Sequence, residues 1–438
     1  MSFARYPAYK DSGVEWLGEV PAHWEVHRLK RSAQLLTEKT DRRTNPVALE
    51  NIESWSGRFV PTDTEFAGDG VAFQHGDILF GKLRPYLAKA LLAQNEGEAV
   101  GDFHVMRPQE GAIPRFLQYQ LLEQAFIDIV DGSTFGSKMP RASWEFVGTM
   151  PLPAPPPSEQ TAIATFLDRE TAKIDALVAE QERLIALLKE KRQAVISHAV
   201  TKGLDPSVPM KDSGVEWLGE VPAHWEVVRI KHVVASIEQG WSPQCESYPV
   251  ESADQWGVLK VGCVNGGVFN PDENKVLPDD LTPVPALAIR AGDVLVSRAN
   301  TRELVGSAAT ALMDYPNLLL CDKLYRLRLN HKMDAPQYLA YFLGCLPVRE
   351  QIELAATGAS SSMLNIGQAT ILELRLPHPD VEEQLAITAH LDAVTARMRD
   401  TATEAEAIIA ALQERRSALI SAAVTGQIDV RCTPEQAP

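Results

Sequence analysis

The stretch KDSGVEWLGEVPAHWEV, residues Lys10–Val26, decides the organisation of this protein because it returns letter for letter at Lys211–Val227. A weaker correspondence joins the segment starting at Glu159-Gln160 to the segment starting at Glu383-Gln384, without a gap. Between these matched parts the two halves differ. The chain is therefore a tandem duplication in which each copy has a short motif, a variable domain and a long helix. Units this long exclude a solenoid, whose repeats have roughly 20–45 residues.

The segment 159–201 and its copy carry apolar residues at steps of three and four, which predicts helices that pack against a partner helix. We predict N-caps at Ser158 and Asp380, and helix ends just before Gly203 and Gly426. About 35 helical residues would form a rod of roughly 50 Å. A coiled coil used only for dimerisation stays open as an alternative, because heptads do not reveal a purpose. The predicted stripes are Ile163, Leu167, Ile174, Leu177, Leu184, Leu188 and Val195, and Ile387, Leu391, Val394, Met398, Ile408, Leu412 and Leu419.

Composition narrows the class of protein. Hydrophobic residues make up 45% of the chain, yet no apolar run approaches the roughly 18 residues of a membrane helix. The first ten residues lack the apolar core of a secretory signal, so a cytoplasmic protein is expected. The 5 cysteines form no Cys-x-x-Cys pair, which disfavours a zinc site and a disulfide framework. A net charge of −16 argues against indiscriminate binding of nucleic acid, but binding depends on where the cations lie.

The variable domains, residues 31–150 and 232–375, mix strand and helix signals and predict an α+β fold. Short β-type runs lie among Gly, Pro, Asn and Asp turn residues. The predicted strands include Ile78–Phe80, Val294–Val296 and Leu324–Leu329, and the predicted helical stretches are Arg115–Ile129 and Gln337–Ile352.

Catalytic motifs are imitated but not formed. Gly76–Lys82 has P-loop spacing, but Leu83 follows where a magnesium-binding Ser or Thr belongs, and the second copy has Ser297-Arg298 in place of the Gly-Lys pair. The letters of Pro271–Lys275 imitate a nuclease element, but they are contiguous and are better explained by an Asn-Pro-Asp turn. Neither nucleotide binding nor nuclease chemistry is predicted.

Polar clusters after the matched strands are the candidate DNA contacts. Arg and Lys pair with guanine, Asn pairs with adenine, and small polar residues let a backbone approach phosphate. Two loops, Gly132–Arg141 and Gly358–Asn365, are rich in Gly and Ser. Ordinary solvated loops remain an equal alternative for any one residue. The candidates are Lys82, Arg84, Tyr86, Ser137, Lys138 and Arg141 in the first half, and Arg298, Asn300, Arg302, Ser361 and Asn365 in the second.

Together these features resemble the specificity subunits of type I restriction–modification enzymes. The resemblance rests on the Gly-x-x-Trp-Leu-Gly-x-x-Pro-x-His-Trp signature at Gly13–Trp24 and Gly214–Trp225, and on the Gly-Asp-Ile-Leu and Gly-Asp-Val-Leu strands at Gly76 and Gly292. It also rests on the Pro-rich entries into the helices at Glu159 and Glu383. It covers nearly the whole chain.

The resemblance implies two target-recognition domains joined by two long antiparallel coiled-coil helices with pseudo-two-fold symmetry. Each domain would recognise half of a bipartite, asymmetric site in double-stranded DNA. The chain itself would catalyse nothing and hold no cofactor. Two methyltransferase subunits and motor–nuclease restriction subunits would carry S-adenosylmethionine, ATP and Mg²⁺. A helical scaffold that binds protein and a duplicated enzyme are the alternatives.

The expected domains follow from the repeat and the resemblance. They are residues 1–158 for the first motif and recognition domain, 159–203 for the central helix, 204–382 for the second motif and recognition domain, and 383–438 for the last helix and tail.

Overall fold

The computed structural model of the chain describes residues 4–42, 44–63, 68–136, 138–252, 254–330, 335–360 and 363–432. The fold divides into two compact units. Unit 1 comprises Met1–Glu182 and Glu406–Pro438, and unit 2 comprises Arg183–Ala405. Each unit therefore contains a motif, a variable domain, the start of one long helix and the end of the other.

Unit 1 mixes short strands with helices, as expected from its turn signals. Its helices are α1 Leu29–Ser32, α2 Pro114–Leu121, α3 Gln124–Gly132, α4 Trp144–Val147 and the first part of α5 Pro157–Lys202. Its strands are β1 Tyr9–Asp11, β2 Glu19–Pro21, β3 Glu25–Arg28, β4 Ala33–Leu36, β5 Lys39–Thr40, β6 Pro46–Val47, β7 Gly70–Phe73, β8 Ile78–Gly81, β9 Ala90–Leu92, β10 Gly97–Val100, β11 Phe103–Pro108 and β12 Pro151–Ala154.

Unit 2 repeats this order of elements. Its strands are β13 Met210–Asp212, β14 Glu220–Pro222, β15 Glu226–Arg229, β16 Val234–Gln239, β17 Gly257–Leu259, β18 Asn274–Val276, β19 Ala288–Ile289, β20 Val294–Ser297, β21 Ala299–Asn300, β22 Ala308–Thr310, β23 Tyr315–Leu319, β24 Leu324–Leu329, β25 Thr357–Ser360, β26 Met363–Asn365 and β27 Arg375–His378. Its helices are α6 Pro336–Gly344, α7 Leu346–Ala355, α8 Gln368–Leu372 and the first part of α9 Val381–Val424. The mixed α+β class is confirmed.

The predicted helical stretches of the variable domains are each interrupted. Between α2 and α3, Glu123 leaves the helix and accepts a hydrogen bond from the Phe126 amide at 2.7 Å, which caps α3. Between α6 and α7, Cys345 is extended and Pro347 occupies the first turn of α7. Proline tolerates only the first turn of a helix, so the break falls before it.

Equivalent sheets form in both variable domains. In unit 1 the strand order is β4-β11-β8-β9, and in unit 2 it is β16-β24-β20-β22. The predicted strands Ile78–Phe80, Val294–Val296 and Leu324–Leu329 all lie in these sheets. Their side chains are almost entirely buried, because helices cover them on one side and a second small sheet packs on the other.

A buried carboxylate explains why the Gly-Asp pair occurs in both halves. The Asp77 carboxylate accepts hydrogen bonds from Nε and Nη2 of Arg107, at 2.8 and 2.7 Å. The Asp293 carboxylate accepts a hydrogen bond from Nε of Arg328 at 2.7 Å. The preceding Gly76 has φ of 87°, a left-handed conformation that favours glycine. These residues fix the turn before the central strand, so the P-loop-like spacing has a structural cause.

The long helices exceed the predicted length, with 46 residues in α5 and 44 in α9. Asp380 caps α9 through a 2.8 Å bond from the Glu383 amide, as predicted. The prediction for α5 was wrong: the helix begins at Pro157, so Ser158 lies inside it. Proline suits this position because it needs no hydrogen-bond partner for its nitrogen. The apolar stripe is buried near its ends but exposed at Leu177, Leu184 and Ile408.

Each motif is locked to a long helix by its second tryptophan. Trp24 and Trp225 are fully buried. The Trp24 indole donates to Glu159 Oε2 at 2.9 Å, and the Trp225 indole donates to Glu383 Oε2 at 2.8 Å. A buried indole N–H needs an acceptor, and a carboxylate in the first turn of a helix is a strong one. We call each of these pairs a tryptophan joint.

The far end of a helix closes each joint from the other side. In unit 1 the end of α9 places Gly426 beside Pro21 and Trp24, and in unit 2 the end of α5 places Gly203 beside Trp225. Both glycines have positive φ, 78° and 75°, as the predicted helix ends require. A side chain at Gly426 would overlap Pro21, so glycine meets a steric as well as a conformational demand.

Removal of the acceptor in a tryptophan joint tests its contribution. We expect Glu383→Ala to lower the free energy of unfolding by about 1–3 kcal/mol, because the buried Trp225 N–H loses its partner. Glu382→Ala is the matched control, since Glu382 is an exposed carboxylate in the same helical turn. Urea denaturation of both variants measures the difference, and equal losses would contradict a special role for Glu383.

Candidate nucleic-acid interface

The predicted DNA contacts of unit 1 come together at the end of strand β8. After Gly81 the chain runs beside the segment that precedes α4, with Arg84 N donating to Pro140 O and Ala142 N donating to Lys82 O, both at 2.9 Å. Arg141 also pairs with Phe135 on its other side. We call residues 82–86 and 135–142, without Ser137, the first polar surface.

Unit 2 builds the same arrangement with more regular strands. Strand β21 pairs with β26, and β26 pairs with β25. Ile366 N donates to Arg298 O at 3.0 Å, as Ala142 N does to Lys82 O. The prediction of a loop at Gly358–Asn365 is therefore wrong in part, because most of this segment belongs to the paired strands β25 and β26. We call residues 298–302, 357–358 and 363–366 the second polar surface.

The two polar surfaces have equivalent backbones and different side chains. Leu83 pairs with Arg141 as Ala299 pairs with Asn365. Most candidate residues lie on these surfaces, although each surface is built from segments about fifty residues apart in sequence. Ser137 and Ser361 fall outside the described residues. When the two units are compared, Lys82 occupies the position equivalent to Arg298. In the same way, Arg84 is equivalent to Asn300, and Arg141 is equivalent to Asn365.

The cations of the first polar surface differ in their availability. Arg141 forms two bonds with Asp102, at 3.0 and 2.8 Å, which raise the pKa of its guanidinium, and Lys82 lies 3.8 Å from the same carboxylate. Arg84 is exposed, and no described residue pairs with its guanidinium. Its backbone is left-handed, with φ of 50°, which is strained for a residue with a side chain. Of the two arginines on this surface, Arg84 is the one whose guanidinium has no partner among the described residues.

The second polar surface holds its polar side chains more firmly. Arg302 pairs with Glu353 at 2.9 Å, and Arg298 donates to the Asp322 carbonyl at 3.3 Å. Asn300 accepts the Thr301 amide at 2.9 Å and donates weakly to Ser297. Its amide group is thereby oriented, with hydrogen-bonding capacity left for a ligand.

In each surface, one buried side chain hydrogen-bonds to a backbone carbonyl of the surface segment, and the sequence did not indicate this residue. His104 Nε2 contacts the Ala142 carbonyl at 3.1 Å, and Tyr325 donates its hydroxyl to the Ile366 carbonyl at 3.1 Å. Since a carbonyl only accepts, Nε2 of His104 carries the proton. Burial lowers the pKa of His104 to about 4, against the opposing effect of that hydrogen bond. The residue types differ, so no repeat pattern could reveal their equivalence.

Exposed apolar residues also lie on the surfaces. Phe135 and Met139 belong to the first polar surface and Met363 to the second, and all of them are exposed. The sequence does not indicate them as contacts, because single apolar residues in Gly- and Ser-rich loops carry no periodic signal. Their exposed positions depend on the backbone pairing within each polar surface, which joins residues that are distant in sequence.

The described ranges outside the polar surfaces were compared with the requirements of a metal site, a reactive thiol and a membrane helix. These residues contain no group of three or more His, Cys, Asp or Glu side chains suited to a metal ion. The thiols of Cys263, Cys321 and Cys345 are buried, and burial raises the pKa of the last two to about 12. Nor is any helix in the described part both long and apolar enough to cross a membrane. A groove of about 940 Å³ in unit 1 shares no residue with the first polar surface.

Comparison with known proteins gives one consistent relationship. No family model matches the chain. The specificity subunit of the type I restriction enzyme EcoEI from Escherichia coli is 27% identical over 209 residues, which span 48% of this chain but only 35% of that subunit. The MjaVIII specificity subunit from Methanocaldococcus jannaschii is 24% identical over 436 residues, 94% of each chain. The EcoKI specificity subunit from Escherichia coli is 24% identical and covers 76% of this chain and 69% of its own length.

A solved structure shares the fold. The chain described under "Structural basis underlying complex assembly and conformational transition of the type I R-M system" aligns with a TM-score of 0.65 and 22% identity, over 92% of this chain and 98% of its own. The expected resemblance to the specificity subunits of type I restriction enzymes is confirmed.

The buried His104 predicts an acid-sensitive unit 1. The unfolded chain takes up a proton near pH 6.5 and the folded chain only near 4, so stability is lost as the pH falls through this window, by about 3 kcal/mol in total. His104→Gln keeps a neutral donor, and we expect it to flatten the dependence in urea denaturation between pH 7 and 4.5. The exposed His75→Gln is the control. An unchanged slope in the His104 variant would contradict the assignment.

Proposed function

Since the chain is related in sequence to the specificity subunits of type I restriction enzymes, we propose that it recognises a bipartite, asymmetric site in double-stranded DNA. The recognition domains lie within residues 1–158 and 204–382, and each uses its polar surface to contact one half-site. The protein acts in the cytoplasm, beside the DNA that it recognises.

The structural equivalence of the two polar surfaces is the observation that carries this proposal. An equivalent backbone frame presents Lys82, Arg84 and Arg141 in unit 1 but Arg298, Asn300 and Asn365 in unit 2. Arginine favours guanine, whereas asparagine favours adenine through two hydrogen bonds. A constant frame with different side chains is what two unequal half-sites require. The remaining predicted contacts, Tyr86, Ser137, Lys138, Arg302 and Ser361, belong to the same segments and remain proposals.

The long helices supply the distance between half-sites in this proposal. The start of α5 shares a core with the end of α9 in unit 1, through Ile163, Leu167 and Val424, which supports antiparallel pairing with pseudo-two-fold symmetry. The central helix of the expected segment 159–203 and the last helix of the expected segment 383–438 then form the spacer. Leu184 and Leu187, which are exposed on α5, support docking of further helices there.

We assign that docking to two methyltransferase subunits, with motor–nuclease restriction subunits bound in turn. S-adenosylmethionine, ATP and Mg²⁺ belong to those partners in this proposal. A protein-binding scaffold would instead leave the polar surfaces without DNA, and a duplicated enzyme would need matching catalytic groups in both units. Binding of a random DNA library in a gel shift, with the methyltransferase present, separates these functions.

Reciprocal variants test the half-site assignment. We expect Arg84→Ala to reduce binding by about 10- to 100-fold through one base of the first half-site, since a bidentate base contact contributes about 1–3 kcal/mol. Asn300→Ala should act only on the second half-site, so each variant is the control for the other. Competition gel shifts with each half-site randomised in turn give the measurement. A uniform loss on every sequence would show phosphate contact instead.

An insertion tests the spacer. Four residues added after Glu182 and four after Ala405 extend both helices by about 6 Å, close to two base pairs at about 3.4 Å each. We expect the preferred spacer to lengthen by about one to two base pairs with unchanged half-sites, as measured by methylation-site sequencing in cells. Four residues added between Leu204 and Pro209 form the control, since that segment lies outside the helices. An unchanged spacer with full activity would overturn this role of the helices.

A further inference from the structure

The first polar surface contains an apolar patch that its charged residues do not explain. Phe135 is 63% exposed, Met139 is 49% exposed and Tyr86 is 47% exposed. These residues are neighbours because Phe135 pairs with Arg141, Arg84 N bonds to Pro140 O, and Tyr86 N bonds to Asp131 Oδ1 at 3.3 Å. Large apolar side chains left in water at adjacent positions indicate a binding partner.

The charge around the patch identifies the chemistry of that partner. The segments 82–86 and 131–141 contain Lys82, Arg84, Lys138 and Arg141 but only one carboxylate, Asp131. This local excess of cations occurs in a chain whose net charge is −16. Lys138 is exposed, and like Arg84 it pairs with no described residue. Lys82 and Arg141 lie against the Asp102 carboxylate, which leaves Arg84 and Lys138 as the unpaired cations beside the patch. An apolar patch next to two unpaired cations fits DNA better than it fits an apolar protein surface.

We propose that Phe135 and Met139 contact the 5-methyl groups of thymine in the half-site recognised by unit 1. This inference rests on the proposed function and adds a second kind of base recognition to it. Among the four unmodified bases, only thymine presents a methyl group in the major groove, and apolar side chains recognise it there. Arg84 contacts a neighbouring base beside this apolar contact.

The second unit supports the assignment independently. Thr357 pairs with Asn365 as Phe135 pairs with Arg141, so Thr357 stands at the position of Phe135. It is exposed and carries a methyl group. Met363 precedes Asn365 by two residues, as Met139 precedes Arg141, and it is 46% exposed. Two domains that share few residues both expose an apolar group at these two positions.

Replacement of thymine by deoxyuridine tests the contact, because it removes only the methyl group. The site is first determined by methylation sequencing, and binding is then measured with the methyltransferase subunit present. Each thymine of the first half-site is replaced singly. We expect one or two replacements to weaken binding of the unchanged protein roughly four-fold, the loss of about one buried methyl group. The Phe135→Ala and Met139→Ala variants should bind thymine and uracil sites equally.

Deoxyuridine in the second half-site is the control, since Phe135→Ala should leave its effect unchanged. Thermal denaturation confirms that the variants fold, as expected for exposed side chains. The inference is overturned if the first half-site contains no A·T pair, or if uracil weakens the unchanged protein and Phe135→Ala to the same extent. Absence of sequence-specific binding by the unchanged protein would instead overturn the proposed function itself.

Discussion

The hydrogen bond between a buried tryptophan and the first turn of a long helix is the contact on which the rest of each unit depends. Trp24 has no exposed surface, so its indole N–H must find an acceptor within the protein. Glu159 supplies a carboxylate that also contacts His23 at 2.8 Å and Arg431 at 3.2 Å. The positive end of the helix dipole favours a carboxylate at this point. The Glu159 side chain thereby holds together the motif, the start of α5 and the segment that follows α9.

The residue after each glutamate extends this fixation to the variable domain. Gln160 accepts the Ile113 amide at 2.8 Å, and Gln384 accepts the Ala335 amide at 2.9 Å. Those amides lie at the starts of α2 and α6, whose first-turn nitrogens lack helical partners. Each glutamine also donates to a proline carbonyl just before its own helix. The repeated Glu-Gln pair therefore orients the domain on one side and the motif on the other.

The sequence predicted the parts of the fold that depend on local pattern. Central strands such as Val294–Val296 and the glycines after the long helices follow from turn chemistry and periodicity, which neighbouring residues determine. Burial of Trp24 was not predictable, because it depends on the distant Glu159 and on the end of α9. The helix start at Pro157 was missed because Ser158 is equally suited to a cap when tertiary contacts are unknown.

For the candidate interface, residue types were predictable but their relations were not. Chemistry alone selected Arg84 and Asn300, since their side chains match base edges. Their alignment with Arg141 and Asn365 depends on pairing between distant segments. The engagement of Arg141 by Asp102 and of Arg302 by Glu353 separates structural cations from available ones, which only coordinates reveal.

The buried anchors explain how the proposed contact residues can vary while the backbone of each polar surface stays constant. His104 and Tyr325 differ in type, yet each reaches the carbonyl that follows the central segment of its surface. Any side chain that brings one hydrogen-bond donor to that carbonyl is sufficient, so the residue type at this position differs between the units. The tryptophan joint, in contrast, uses the same tryptophan and glutamate in both units. Because a buried carbonyl without a partner is costly, the frame persists whenever some donor is kept. The exposed side chains of this frame can then vary, so the proposed base contacts Arg84 and Asn300 can differ between the units without loss of the backbone that presents them.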